Sequence, residues 1–66
     1  MMSKKAREVL AKITEEEIKA VRRMNIFGKL QFITERYGNE SERFGISFGL
    51  FPLWSKEVLD EIERRE

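Results

Sequence analysis

The stretch Phe44-Gly45-Ile46-Ser47-Phe48-Gly49-Leu50-Phe51-Pro52-Leu53-Trp54 constrains this chain more than any other part of it. It holds the only Trp, the only Pro, three of the five Phe and two of the four Gly, and no charged residue interrupts it. The whole chain has 66 residues, one domain at most, and a domain of that size buries only about 60% of the surface its unfolded chain exposes. Little interior is on offer for so many large side chains. The segment therefore either fills a tiny core or contacts something else, a second copy of the chain included.

Small domains are usually helped by disulfides, metals or oligomerisation. There is no Cys, so disulfides are out, and with no His either a zinc site lacks its usual sulfur and nitrogen donors. No metal or cofactor is expected. Oligomerisation remains. Hydrophobic residues make up 41% of the chain and charged residues 38%, which is too apolar for a disordered chain. No apolar run approaches the roughly 20 residues needed to cross a bilayer, and no apolar stretch follows the basic N-terminal residues as in a signal peptide. The expected location is cytoplasmic.

The net charge of +1 hides an asymmetry. Residues 1–37 carry nine Lys/Arg against five Asp/Glu, and residues 38–66 carry four against seven. Attraction between the two halves within one fold is the favoured reading, ahead of a basic face for nucleic acid.

Ala6, Val9, Leu10 and Ile13 recur at helical spacing. Thr14 and Glu17 then form a capping-box pattern, with Ile13 and Ile18 at the staple positions and three glutamates in the first turn. A new helix is expected from about Glu15, in preference to one continuous helix. Ile26, Leu30, Ile33 and Tyr37 make another stripe, rotated away from the first, so either one long helix is wrapped on two sides or the helix breaks near Asn25–Gly28, where Gly28 permits a break without forcing it. Gly38-Asn39 is a stop signal, Gly38 being suited to a left-handed cap. Residues 39–43 read as a turn or short loop.

Phe44, Ile46, Phe48 and Leu50 alternate with Gly45, Ser47 and Gly49, a period of two that suggests an extended strand. An irregular loop laid over helices is the competing reading, and both stay open. Ser55 is placed to cap a last helix, with Trp54 and Leu59 as its staple and Val58, Leu59 and Ile62 as its stripe. The expected fold is mainly α: three or four short helices with one aromatic, glycine-rich strand-like or loop segment over 44–54, in a single small domain spanning 1–66.

Gly45-Ile46-Ser47-Phe48-Gly49 matches the G-x-S-x-G pattern of a hydrolase nucleophile elbow, but that motif needs a large α/β sheet and a His. The same residues match G-x-x-x-G, which marks close approach of backbones. Glu15, Glu16 and Glu17 point about 100° apart on a helix and do not converge on an ion. An enzyme is not expected.

Two functions are expected from these patterns. The first is a non-enzymatic protein–protein interaction module with a regulatory, adaptor or accessory role. Its partner is expected to be itself, as a homo-oligomer with a dimer favoured, and/or another protein, and its contact residues are Phe44, Ile46, Phe48, Leu50, Phe51, Leu53 and Trp54. Phe51 and Trp54 are the members expected to sit nearest the core. The alternative is a small DNA-binding regulator. Residues 18–38 loosely resemble a helix-turn-helix, with Gly28 as the turn glycine and Arg22, Arg23, Lys29, Gln31 and Arg36 as the contact residues.

Overall fold

A computed structural model describes all residues, 1–66. It contains five α-helices and no strand: α1 (Lys4–Lys12), α2 (Glu15–Arg22), α3 (Ile26–Tyr37), α4 (Glu40–Ile46) and α5 (Leu53–Arg64). Four of the five begin at a Ser, Thr or Asn whose side-chain oxygen accepts a backbone N–H three residues on. The pairs are Ser3 with Ala6, Thr14 with Glu17, Asn25 with Gly28 and Asn39 with Glu42. Each cap satisfies one of the donors that a helix start leaves unpaired. The Thr14–Glu17 capping box is complete, and α2 starts where that pattern expects it.

The core is a cluster of nine residues: Ala6 and Val9 from α1, Ile18 and Val21 from α2, Ile33 from α3, and Trp54, Val58, Leu59 and Ile62 from α5. α5 packs against α1 and α3, while α2 and α4 pack against α3. α4 contributes no buried residue.

Three expectations are corrected. There are five helices rather than three or four, because residues 39–43 open a helix instead of forming a loop. Asn39 and Glu42 make a second capping box there. Segment 44–54 is not a strand: its first part completes α4 and its last part opens α5. The alternation of Phe44 and Phe48 with small residues is a helical i, i+4 pair seen at every second position. Finally, α5 starts two residues before Ser55, with Pro52 in the cap position and no side-chain cap. Ser55 is buried instead, and its hydroxyl donates to the Pro52 carbonyl at 2.8 Å.

Two glycines are required by geometry. Gly49 has φ +72°, the only positive φ in the chain. Its N–H donates to Ile46 O at 2.9 Å, and the next N–H, of Leu50, reaches back to Gly45 O at 3.0 Å. This bond pair is a Schellman ending, in which the left-handed residue closes the helix. Gly38 stops α3 for another reason. Its φ is −83°, not left-handed, but a Cβ there would lie 2.5 Å from Thr34 O.

Two stability predictions follow from these features. Gly49→Ala should cost about 1 kcal/mol, because nothing lies within 4 Å of the added carbon and only the backbone strain changes. Gly49→Asn should cost less, since Asn tolerates the left-handed region. Equal denaturation midpoints for all three proteins would contradict this account. Thr34 is fully buried and its hydroxyl has no partner. Thr34→Val keeps the shape and the helix propensity while removing that hydroxyl. It should raise stability by about 1 kcal/mol, and a fall in the urea midpoint would show that the hydroxyl is satisfied after all.

Candidate functional site

The apolar segment divides sharply by exposure. Phe44 and Leu53 are 69% exposed, and Phe48 and Leu50 are 65% exposed. Ile46 and Phe51 are half-buried, and Trp54 is buried in the core. Helical register explains the division on α5. Trp54, Val58 and Ile62 fall at i, i+4 and i+8 on the core stripe, whereas Leu53 is turned about 100° away from Trp54.

Contacts link these residues in two groups. The Phe44 and Phe48 rings lie 5.4 Å apart. Leu50 sits over Gly45, and a shallow depression there is lined by Gly45, Leu50, Phe51 and Pro52 among others. From Phe51 the surface continues to Phe27 of α3, whose ring meets it edge-on at 5.2 Å. Phe27 is 49% exposed and its neighbour Ile26 is 62% exposed. Neither was among the residues expected from sequence to make contact. Phe27 lies seventeen positions before the start of the segment, and only packing between the helices brings it alongside.

One polar arrangement holds this surface to the core. The Trp54 indole Nε1–H donates to Glu42 Oε2 at 2.7 Å, while Glu42 Oε1 accepts the Asn39 N–H at 2.9 Å. The Lys5 ammonium stands 5.3 Å from the Trp54 ring centroid, within cation–π range. Burial pushes the Glu42 carboxyl up, but the Trp54 and Asn39 hydrogen bonds and the Lys5 charge outweigh it and hold the group below its ordinary value.

The residues expected to contact DNA are placed differently. α2 and α3 are joined by the three residues 23–25. Gly28 is not the turn glycine: it lies in the first turn of α3, where its N–H donates to Asn25 Oδ1 at 2.8 Å. Arg22 pairs with Glu66 at 3.3 Å and Lys29 with Glu63 at 3.4 Å. Arg36 is ion-paired to Glu17, and Gln31 donates to Glu35 at 3.3 Å. Arg23 alone of the five is exposed and makes no ion pair or hydrogen bond through its side chain.

Glu17 is the centre of a second polar cluster. Its carboxylate accepts from the Thr14 N–H, from Arg36 and from the Tyr37 hydroxyl, tying the start of α2 to the end of α3. Burial alone would raise its pKa, but these donors win and bring it down to about 2. Burial and the Glu17 charge push Tyr37 up to about 12. No group of acidic side chains is arranged to hold a metal ion, and no helix is long and apolar enough to cross a membrane.

Comparison with known proteins returns no match to a protein-family model, to a curated protein or to a solved structure. Function must be read from the residues themselves.

Glu17 gives a pH prediction. Its folded pKa of about 2 lies below the ordinary 4.5. Its contribution is therefore complete above pH 4.5 and is lost as the pH falls through 2. Glu17→Gln should lower stability at neutral pH by about 1–3 kcal/mol and flatten the acid limb of the stability profile. Urea titrations from pH 7 to pH 2 giving parallel profiles for both proteins would exclude this role.

Proposed function

We propose that the protein is a small non-enzymatic protein–protein interaction module that associates with itself, in a regulatory, adaptor or accessory role. Phe44, Phe48, Leu50 and Leu53 make the contact, with Phe27 extending it and Ile46, Phe51 and Trp54 supporting it from beneath. One observation carries this reading: these large apolar side chains, drawn from one short segment and from Phe27 packed against it, are half to two-thirds exposed.

The size of that surface supports it. With roughly 200 Å² per Phe and somewhat less per Leu, the five exposed side chains offer about 600 Å², the top of the range for the largest apolar patch on an ordinary monomer. Two such patches meeting would remove about 1,200 Å² from water, the lower bound for a stable interface. α4 supports it too. Helices shorter than about 12 residues are marginal alone and depend on burying an apolar face, and α4 has seven residues and buries none.

The alternative, a DNA-binding regulator using α2 and α3, has a three-residue connection in its favour. Against it, three of its four cations are ion-paired within the chain, leaving little charge free for phosphates.

Light scattering across a concentration series tests the reading. The wild-type mass should rise above 7.9 kDa with concentration. Phe48→Glu should stay at the monomer mass with its helical circular dichroism unchanged, because Phe48 lies outside the core. A wild-type protein that remains monomeric at millimolar concentration would end the proposal.

A further inference from the structure

We infer that α4 is a hinged flap: it opens as a unit while α1, α2, α3 and α5 stay folded, and the hydrogen bond between Trp54 and Glu42 is its latch. The flap belongs to the single chain and works with or without a partner.

Nothing apolar fastens α4 to the core. The nine core residues are joined by six partly buried hydrophobic residues packed against them, and no residue of 38–53 belongs to either group. Ile46 is half-buried but stands outside both. α4 lies against α3, yet it brings no buried side chain to that contact. Polar fastening is as thin. α4 takes part in no ion pair. Arg43 donates to Gly38 O at 2.6 Å, and Asn39 and Glu42 cap each other; these bonds lie within residues 38–43 and move with the helix. The Trp54 indole on Glu42 Oε2, at 2.7 Å, is the one hydrogen bond from α4 to another helix.

Glycines bracket the flap. Gly38 precedes it, and Gly49, at φ +72°, follows it. Hinge motion falls on a few such positions at the ends of elements, often small residues. A helix shorter than about 12 residues does not hold itself together in water, so α4 unravels as it lifts. Opening delivers the Trp54 Nε1–H to water. It also separates the Phe44–Phe48 pair from Phe27 and Phe51, which lie on α3 and at the entry to α5.

Hydrogen exchange read amide by amide tests the flap, in wild-type protein dilute enough to be monomeric by light scattering. The amides of residues 43–46 are hydrogen-bonded inside α4. They should exchange at least about 100-fold faster than those of residues 58–62. Low urea should leave their rate unchanged, because opening one short helix exposes little surface. α2 is the control: it has eight residues and buries Ile18 and Val21, so its amides should exchange far more slowly than those of α4. Ile62→Val trims the core and should speed exchange at 58–62 about two- to ten-fold, with 43–46 unchanged. Glu42→Gln breaks the latch alone. Glutamine also serves at this position of a capping box, so its oxygen keeps the Asn39 N–H, and its NH₂ then meets the indole N–H donor to donor. Exchange at 43–46 should rise about ten-fold. If 43–46 exchange no faster than 58–62, or if Ile62→Val accelerates both equally, α4 opens only with the whole molecule and there is no flap. If Glu42→Gln leaves 43–46 unchanged, the Trp54 bond is not the latch.

Discussion

The apolar stripe of Trp54, Val58, Leu59 and Ile62 on α5 is the surface on which the rest of the fold assembles. α1 and α3 pack directly on α5, and α2 adds Ile18 and Val21 to the same cluster while packing on α3. Four helices share this small interior, and the fifth has no place in it. α4 is joined to α5 by one hydrogen bond, from the Trp54 indole to Glu42, and the same carboxylate caps the start of α4. Glu42 thus caps the start of α4 and ties it to α5, while the packing of α4 on α3 shares in setting its orientation.

Legibility from sequence followed the local physics. The α2 start was legible because Thr14, Glu17 and the flanking isoleucines all point to one boundary. The stop after Tyr37 was legible too, although Gly38 acts through close approach to Thr34 O rather than through a left-handed cap; the break before α3 was legible only as one of two readings, because the stripes fit a single helix wrapped on two sides as well. α4 was misread because two periods fit the same residues. Phe44 and Phe48 are separated by four, which is two steps of a strand or one turn of a helix, and Gly45 and Ser47 are poor helix formers. The signal that decides between them lies at the ends: the Asn39–Glu42 box opens a helix and Gly49 closes one, ten residues apart. Local patterning also misplaced the start of α5, since Ser55 is a good cap by type but occupies a core position by register.

The candidate surface was legible as a composition and not as a geometry. Eleven uncharged residues in a short chain announce more apolar area than a small core absorbs. Which of them face out depends on the register of α4 and α5, and on the packing that brings Phe27 of α3 against Phe51. That contact spans more than twenty residues of sequence, and no periodicity encodes it.

Charge has the opposite fate in this molecule. The basic first half and acidic second half meet through Arg22–Glu66 and Lys29–Glu63, so cations of α2 and α3 are neutralised by the chain's own C-terminal residues. These pairs are at least partly exposed and each contributes at most about 1 kcal/mol. Their larger effect is to remove positive potential from the face a nucleic acid would approach. The apolar surface has no such internal remedy. Drawing Phe44 or Phe48 inward would require displacing residues of the α5 stripe, because the nine-residue core is already filled by side chains from the other helices. In so small a chain, large side chains without a place in the core must stay in water or be covered by another molecule.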